Sequence, residues 1–328
     1  MAAEPALVDW LLETDPAVRW QVERDVLRAP EERWRATRAT VPTTGFGARL
    51  LALQDEDGQW AGGAYFPAQD AGHDVEGDVD DAEGQPWTAT TWSLNALRRW
   101  GVDAAALAGT AELLARNSRW EYNDAPYWNG EDDCCINGFT LANGAWLGAD
   151  VYGLAEWLPA HQLEDGGWNC EWVEGSTRSS FHSTLNVIEG LLAHEELTGG
   201  NDALRRSRHR GEEYLLERHL LRRLSTGEPV GPWTAHFTYP FRWVYSALRA
   251  LDHFRAAALV DGTVPDPRLA DAVQLVRDAR GADGRWVQDG VHAGRVWFAE
   301  DVPPGEASPW LTLIGTRVLD WWDSAQHD

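Results

Sequence analysis

Apolar residues recur at helical spacing in segment after segment of this chain, and runs that alternate apolar with polar positions are scarce. Two series of helical segments emerge. One is rich in Trp and small residues and covers about 16–28, 87–100, 135–147, 181–196, 240–255 and 308–322. The other is more charged and falls between the first, at about 45–54, 103–117, 151–162, 203–224 and 267–280. Each charged segment leads into a turn region that ends near a Trp, at Trp60, Trp120, Trp168, Trp233 and Trp286. Two helices per unit, recurring about every 50–65 residues, mark a helical repeat whose hairpins must stack because none can bury its apolar face alone. About six such hairpins closing on themselves predict an all-α fold, a single α/α toroid spanning residues 1–328, with aromatic helices inside and charged helices outside.

The connection from a charged helix to an aromatic one has a repeated signature. "LLALQDEDGQW" at 50–60 and "LPAHQLEDGGW" at 158–168 both carry Gln, two residues, Asp-Gly, one residue and Trp, and "LVRDARGADGRW" at 275–286 places Arg280 at the Gln position. Asp-Gly supplies the turn that ends the outer helix, the Gln can bond freed backbone groups, and the indole can pack over the turn. This reads as a structural connection rather than a catalytic device. Gln-x-x-Asp-Gly-x-Trp between helices resembles the QW motif of the squalene-hopene cyclase, terpenoid cyclase and protein prenyltransferase superfamily. That resemblance implies an α/α toroid; it does not choose among the superfamily's cyclases, zinc-dependent transferases and binding domains.

Composition narrows the partners. Lys plus Arg number 28 against 52 Asp plus Glu, a formal charge of −24 that repels phosphate backbones and argues against nucleic acid. No apolar stretch reaches the length of a membrane span, and a cytoplasmic protein with no integral membrane segment is expected. Three Cys, two of them adjacent, make a poor disulfide framework and fit a reducing compartment. The 20 Trp beside a single Met call for many packing positions of one kind or for an aromatic-lined cavity. Trp92, Trp146, Phe241, Trp243 and Trp310, all on the aromatic series, are the candidates for a cavity wall that would receive an apolar, isoprenoid-like substrate.

In a toroid every segment entering an inner helix lies at one end of the ring, and these segments hold the residues that suggest chemistry. Asp78-Val79-Asp80-Asp81 matches the Asp-x-Asp-Asp motif of class II terpenoid cyclases, which implies Asp80 as proton donor with Asp78 and Asp81 orienting it. The surrounding stretch is strongly acidic, so a solvated loop is the competing reading. Asp133, Cys134 and Cys135 open one inner helix, and Cys170 and His182 precede and open the next. Cys, His and Asp are the ligands of Zn2+, and the arrangement is similar to that of protein prenyltransferase β subunits, which implies Asp133, Cys135 and His182 as ligands, with Cys170 an additional candidate. Buried thiols and a hydrogen-bonded His form the alternative. His236 and the acidic Glu300, Asp301 and Glu306 are weaker candidates. The leading functional expectation is a terpenoid cyclase-like enzyme, the second a zinc-dependent prenyl transfer or hydrolysis, and the third a non-catalytic binding toroid. The family's cyclases place their site between two helical domains, so a homodimer would supply the second wall here.

Overall fold

A computed structural model of the chain describes residues 5–68 and 84–325. The described residues form helices joined by turns and isolated bridges, with no strand among them. In chain order the α-helices are α1 (Pro5–Leu12), α2 (Pro16–Gln21), α3 (Glu31–Arg38), α4 (Gly45–Leu51), α5 (Thr90–Trp100), α6 (Thr110–Asn117), α7 (Cys134–Leu147), α8 (Tyr152–Ala160), α9 (Phe181–Thr198), α10 (Asp202–Leu216), α11 (Ala247–Asp261), α12 (Ala270–Asp278) and α13 (Pro309–Ser324). The all-α class and the alternation of the two helix series agree with the sequence pattern. No described helix is long and apolar enough to cross a membrane.

The repeated Trp signature has one geometry in all three places. Gln54 Nε2 donates to Gly58 O at 3.0 Å, Gln162 Nε2 to Gly166 O at 2.6 Å, and Arg280 Nε to Gly284 O at 3.1 Å. The three glycines sit at φ 92°, 98° and 81°, left-handed values that a side chain would strain. The indole N–H of Trp60 reaches back to Leu50 O at 2.9 Å, that of Trp168 to Leu158 O at 2.8 Å, and that of Trp286 to Val276 O at 2.9 Å. Each Trp backbone N–H then donates to a threonine hydroxyl at the start of the next aromatic helix, Thr90 at 3.1 Å, Thr184 at 3.0 Å and Thr312 at 3.1 Å. The three rings have no solvent exposure. Glycine makes room for them: a Cβ at Gly211 would lie 2.8 Å from the Trp168 ring, and one at Gly315 would lie 2.8 Å from that of Trp286.

By contacts the chain divides into two compact units. One comprises residues 1–40, 212–292 and 300–328, and packs α13 against both α11 and the first helices. One buried charge network there centres on Arg317, which donates to Asp252, to Asp25 at 2.9 Å and to Gln21 at 3.0 Å. Burial works to raise the Asp252 carboxyl, but Arg317 and Arg255 hold it well below the usual range. The other unit comprises residues 41–211 and 293–299 and is centred on α5, α7 and α9. There α7 and α9 approach so closely that a Cβ on Gly138 would lie 2.8 Å from Asn186 O, and one on Gly190 would lie 2.3 Å from Gly138 O. That contact sets the starts of the two helices side by side.

Element boundaries differ from the pattern in two informative places. The segment expected as helix from 240 begins at Ala247, where Ser246 caps it by accepting from Arg249 N, and the preceding residues include Arg242 at φ 52°. The outer helix expected to reach 224 stops at Leu216, because His219 and Leu220 adopt φ 48° and 63°. The stop after Leu216 carries no Gly or Pro signal.

If the Trp connections hold the hairpins, replacing Thr184 or Thr312 by Val should cost about 1–3 kcal/mol each, the penalty of leaving a buried N–H unpaired. Thr→Ser at the same sites should recover most of that loss in urea unfolding, because it restores the acceptor.

Candidate metal and thiol site

The first turn of α7 is built before its cysteines are placed. Asn137, itself buried, accepts from Glu131 N at 2.8 Å and donates to Glu131 O at 2.6 Å, while Glu131 accepts from Asp133 N at 2.7 Å. Gly130 is required beneath this loop, since a Cβ there would meet Asn137 Oδ1 at 2.2 Å. Cys134 and Cys135 follow as the first helical residues. Cys170 arrives on a 3-10 segment, Cys170–Glu174, capped by Asn169, which accepts from Glu171 N at 3.1 Å. Trp172 Nε1 donates to Asp132 O at 2.9 Å and ties this segment to the α7 loop.

The three sulfurs meet. Cys170 Sγ donates to Cys135 Sγ at 3.1 Å and lies 3.6 Å from Cys134 Sγ, and all three ligand atoms fall within 4.8 Å of one another. Ser183 Oγ donates to Cys170 Sγ at 3.5 Å and accepts from Cys170 N at 3.3 Å. Cys134 and Cys135 are buried and Cys170 is half-buried.

In this cluster the net effect lowers the thiol of Cys135 and not those of its neighbours. Bonds from Cys134 and Cys170, with support from Ser183 and Asn186, outweigh burial and hold its thiol well below the ordinary value. Cys134 is raised by its bonds to Cys135 and Cys170 and by burial. For Cys170 the bond from Cys134 lowers the value, but Cys135 and burial push it up to about 12. Burial, then Cys170 and Glu131, push the Asp133 carboxyl up to about 7.

An aromatic group stands beside the thiols. Trp87, Trp92 and Phe139 are buried together with Tyr65 packed on them. Trp92 meets Trp87 edge-on at 4.7 Å, Tyr65 at 4.8 Å and Phe139 at 5.7 Å. Tyr65 is placed by its backbone: Glu121 Oε1 accepts from Ala64 N at 2.8 Å, Tyr65 N at 2.9 Å and Phe66 N at 3.1 Å, and Trp92 Nε1 donates to Tyr65 O at 3.2 Å. Burial raises the Tyr65 phenol, Gln85 opposes that by hydrogen bonding, and the charges of Cys135, Asp133 and Cys170 raise it further.

The sequence candidates divide accordingly. Cys135 and Cys170 lie together, and Cys134 joins them although the pattern did not single it out as a ligand; Asp133 stands beside Cys170 but not within the group whose ligand atoms converge. His182 is outside the group whose ligand atoms converge. Successive helical residues point about 100° apart, and in α9 it is Ser183 that faces Cys170, which turns His182 to another side. Trp92 belongs to the aromatic group. Trp146 is half-buried near the far end of α7, eleven residues beyond Cys135 and so about 16 Å along the axis. Phe241, Trp243 and Trp310 belong to the first unit, where Trp310 stacks on Tyr239 at 4.5 Å, Phe241 is buried beside Tyr239, and Trp243 is 36% exposed. Glu300 there pairs with Arg242 at 2.8 Å, and Asp301, pushed up to about 6 by burial against its bond from Ser308, is also held. His236 and Glu306 are exposed. Asp78, Asp80 and Asp81 lie outside the described residues.

Comparison with known proteins gives little to set beside this geometry. No family model matches the chain, and no curated protein matches it. A solved structure named as a polysaccharide lyase superposes with a TM-score of 0.47 at 11% identity, covering 98% of this chain and 97% of the other.

The raised Asp133 carboxyl gives a signed expectation. A carboxyl whose folded value exceeds its unfolded one contributes stability that is complete below about pH 4 and is lost as pH rises through about 7. In chelator-treated protein, the wild type should therefore lose more stability between pH 5 and pH 8 than Asp133→Asn, as read from urea midpoints.

Proposed function

We propose that this protein is a zinc-dependent enzyme of the transfer or hydrolysis class, built as an α/α toroid and acting on an apolar, isoprenoid-like substrate. The observation that supports this reading most is the convergence of Cys134, Cys135 and Cys170 from two segments far apart in sequence. Tetrahedral zinc with sulfur at about 2.3 Å places its thiolates about 3.8 Å apart. The 3.6 Å separation of Cys134 and Cys170 is close to that, and the 3.1 Å separation of Cys135 and Cys170 needs to open by about 0.7 Å. Soft thiolates select zinc over magnesium or calcium. Asp133 stands beside the sulfurs as the candidate for the remaining position, the place that a water or substrate group would take.

When bound, zinc supplies a Lewis acid that lowers the pKa of a coordinated water or thiol. This chain's residues supply the rest. Ser183 steadies Cys170, Asn137 and Glu131 fix the α7 entry, and Trp87, Trp92, Phe139 and Tyr65 provide apolar and π surface for a hydrocarbon chain.

A terpenoid cyclase reading is the second possibility, with Asp80 as proton donor flanked by Asp78 and Asp81. It is favoured by the same aromatic group, because ring faces also stabilise carbocations.

Elemental analysis of the purified protein, followed by replacement of the metal with cobalt, separates the two. The zinc reading predicts about one metal per chain, an intense thiolate-to-cobalt absorption, and at least tenfold weaker binding in Cys170→Ser. Protein that binds no metal yet converts an isoprenoid, and loses that activity in Asp80→Asn, would overturn it in favour of cyclisation.

A further inference from the structure

We infer that Cys135 and Cys170 form a peroxide-oxidisable dithiol, a modification site at which a Cys135–Cys170 disulfide closes. The release of metal that would follow rests on the zinc reading above, whereas the disulfide itself does not. Their sulfurs are 3.1 Å apart, so a bond of about 2.05 Å needs an approach of about 1 Å. The segment that must move is suited to it. Cys170 is the half-exposed member of the cluster and stands on a single short 3-10 turn. That turn ends at Gly175 and carries no buried residue between Cys170 and Glu174. The Trp172 bond to Asp132 keeps the turn seated over the start of α7 as it moves.

The alternatives are less well placed. Cys134 is 1% exposed against 8% for Cys135, and its sulfur lies farther from Cys170, at 3.6 Å. A bond between the neighbours Cys134 and Cys135 would close a ring too small for the helical trans peptide they share.

The chemistry needs a peroxide as oxidant. One sulfur, as thiolate, attacks a peroxide oxygen; the O–O bond breaks, the leaving hydroxide takes a proton to become water, and the sulfur becomes a sulfenic acid. The second sulfur then attacks the sulfenic sulfur, the S–O bond breaks, and the departing hydroxide takes the second thiol's proton as water. Two thiols are oxidised to one disulfide, and one peroxide is reduced to two waters.

The full-length protein, zinc-loaded or chelator-treated, would be exposed to millimolar hydrogen peroxide without denaturant, cleaved at glutamates and mapped by mass spectrometry. Free zinc would be followed with a chromogenic chelator. We expect a peptide carrying Cys170 linked to the one carrying Cys134 and Cys135. The linked species should persist in Cys134→Ser and fall at least tenfold in Cys135→Ser and Cys170→Ser, and dithiothreitol should reverse it. A linkage that survives in Cys135→Ser, or three reduced or merely sulfonated cysteines, would overturn the inference. Protein that binds no zinc but forms the bond supports it and refutes the metal reading alone. Protein that holds zinc and forms no linked peptide refutes this inference alone.

Discussion

A tryptophan with no exposure brings two donors into the interior, and both must find acceptors there. An orphaned buried donor costs about 1–3 kcal/mol, a large fraction of a domain's net stability. At Trp60, Trp168 and Trp286 the indole N–H is met by a carbonyl of the helix just completed, and the backbone N–H by a threonine of the helix about to start. One residue therefore fixes where an outer helix ends, how the chain turns and where the next aromatic helix begins. The left-handed glycine before it and the Gln or Arg bond across the turn complete the connection.

The thiol site depends on the same constraint. Trp168 anchors one end of the loop that carries Cys170, and Thr184, its acceptor, is one residue beyond Ser183, which touches the Cys170 sulfur. The close approach of α7 and α9 at Gly138 and Gly190 brings Cys134 and Cys135 to that loop. Three sulfurs and a carboxyl confined together cannot all be charged. Burial first and then neighbouring charge raise Asp133, and hydrogen bonding with burial raises Cys134 and Cys170, while the hydrogen bonds they offer lower Cys135. A divalent cation would relieve the repulsion, and oxidation would remove the charge.

The fold was readable because its signal is repeated and local. Gln54 to Trp60 and Gln162 to Trp168 announce the turn by their residue types, and Arg280 substitutes for Gln because a guanidinium N–H can make the same bond to a glycine carbonyl. The site was readable only in part. Cys135 and Cys170 stood out as thiols before successive inner helices, but whether Cys134 or Asp133 would accompany them depended on the helix phase, which a one-residue change in start would reverse. The same phase decides between Ser183 and His182, and it is Ser183 that touches the Cys170 sulfur. Tyr65 and Glu121 had no local signal, since Glu121 acts through three backbone N–H groups more than fifty residues away.

Hydrogen exchange at the indole nitrogens tests the Trp connection most directly. With tryptophans labelled at Nε1, the account predicts that the indole protons of Trp60, Trp168 and Trp286 exchange only through global unfolding, in step with one another and with the denaturant-derived stability. The exposed Trp243 serves as the internal reference. Exchange of the three indoles at rates close to that of Trp243 would contradict the claim that these rings hold the hairpins together.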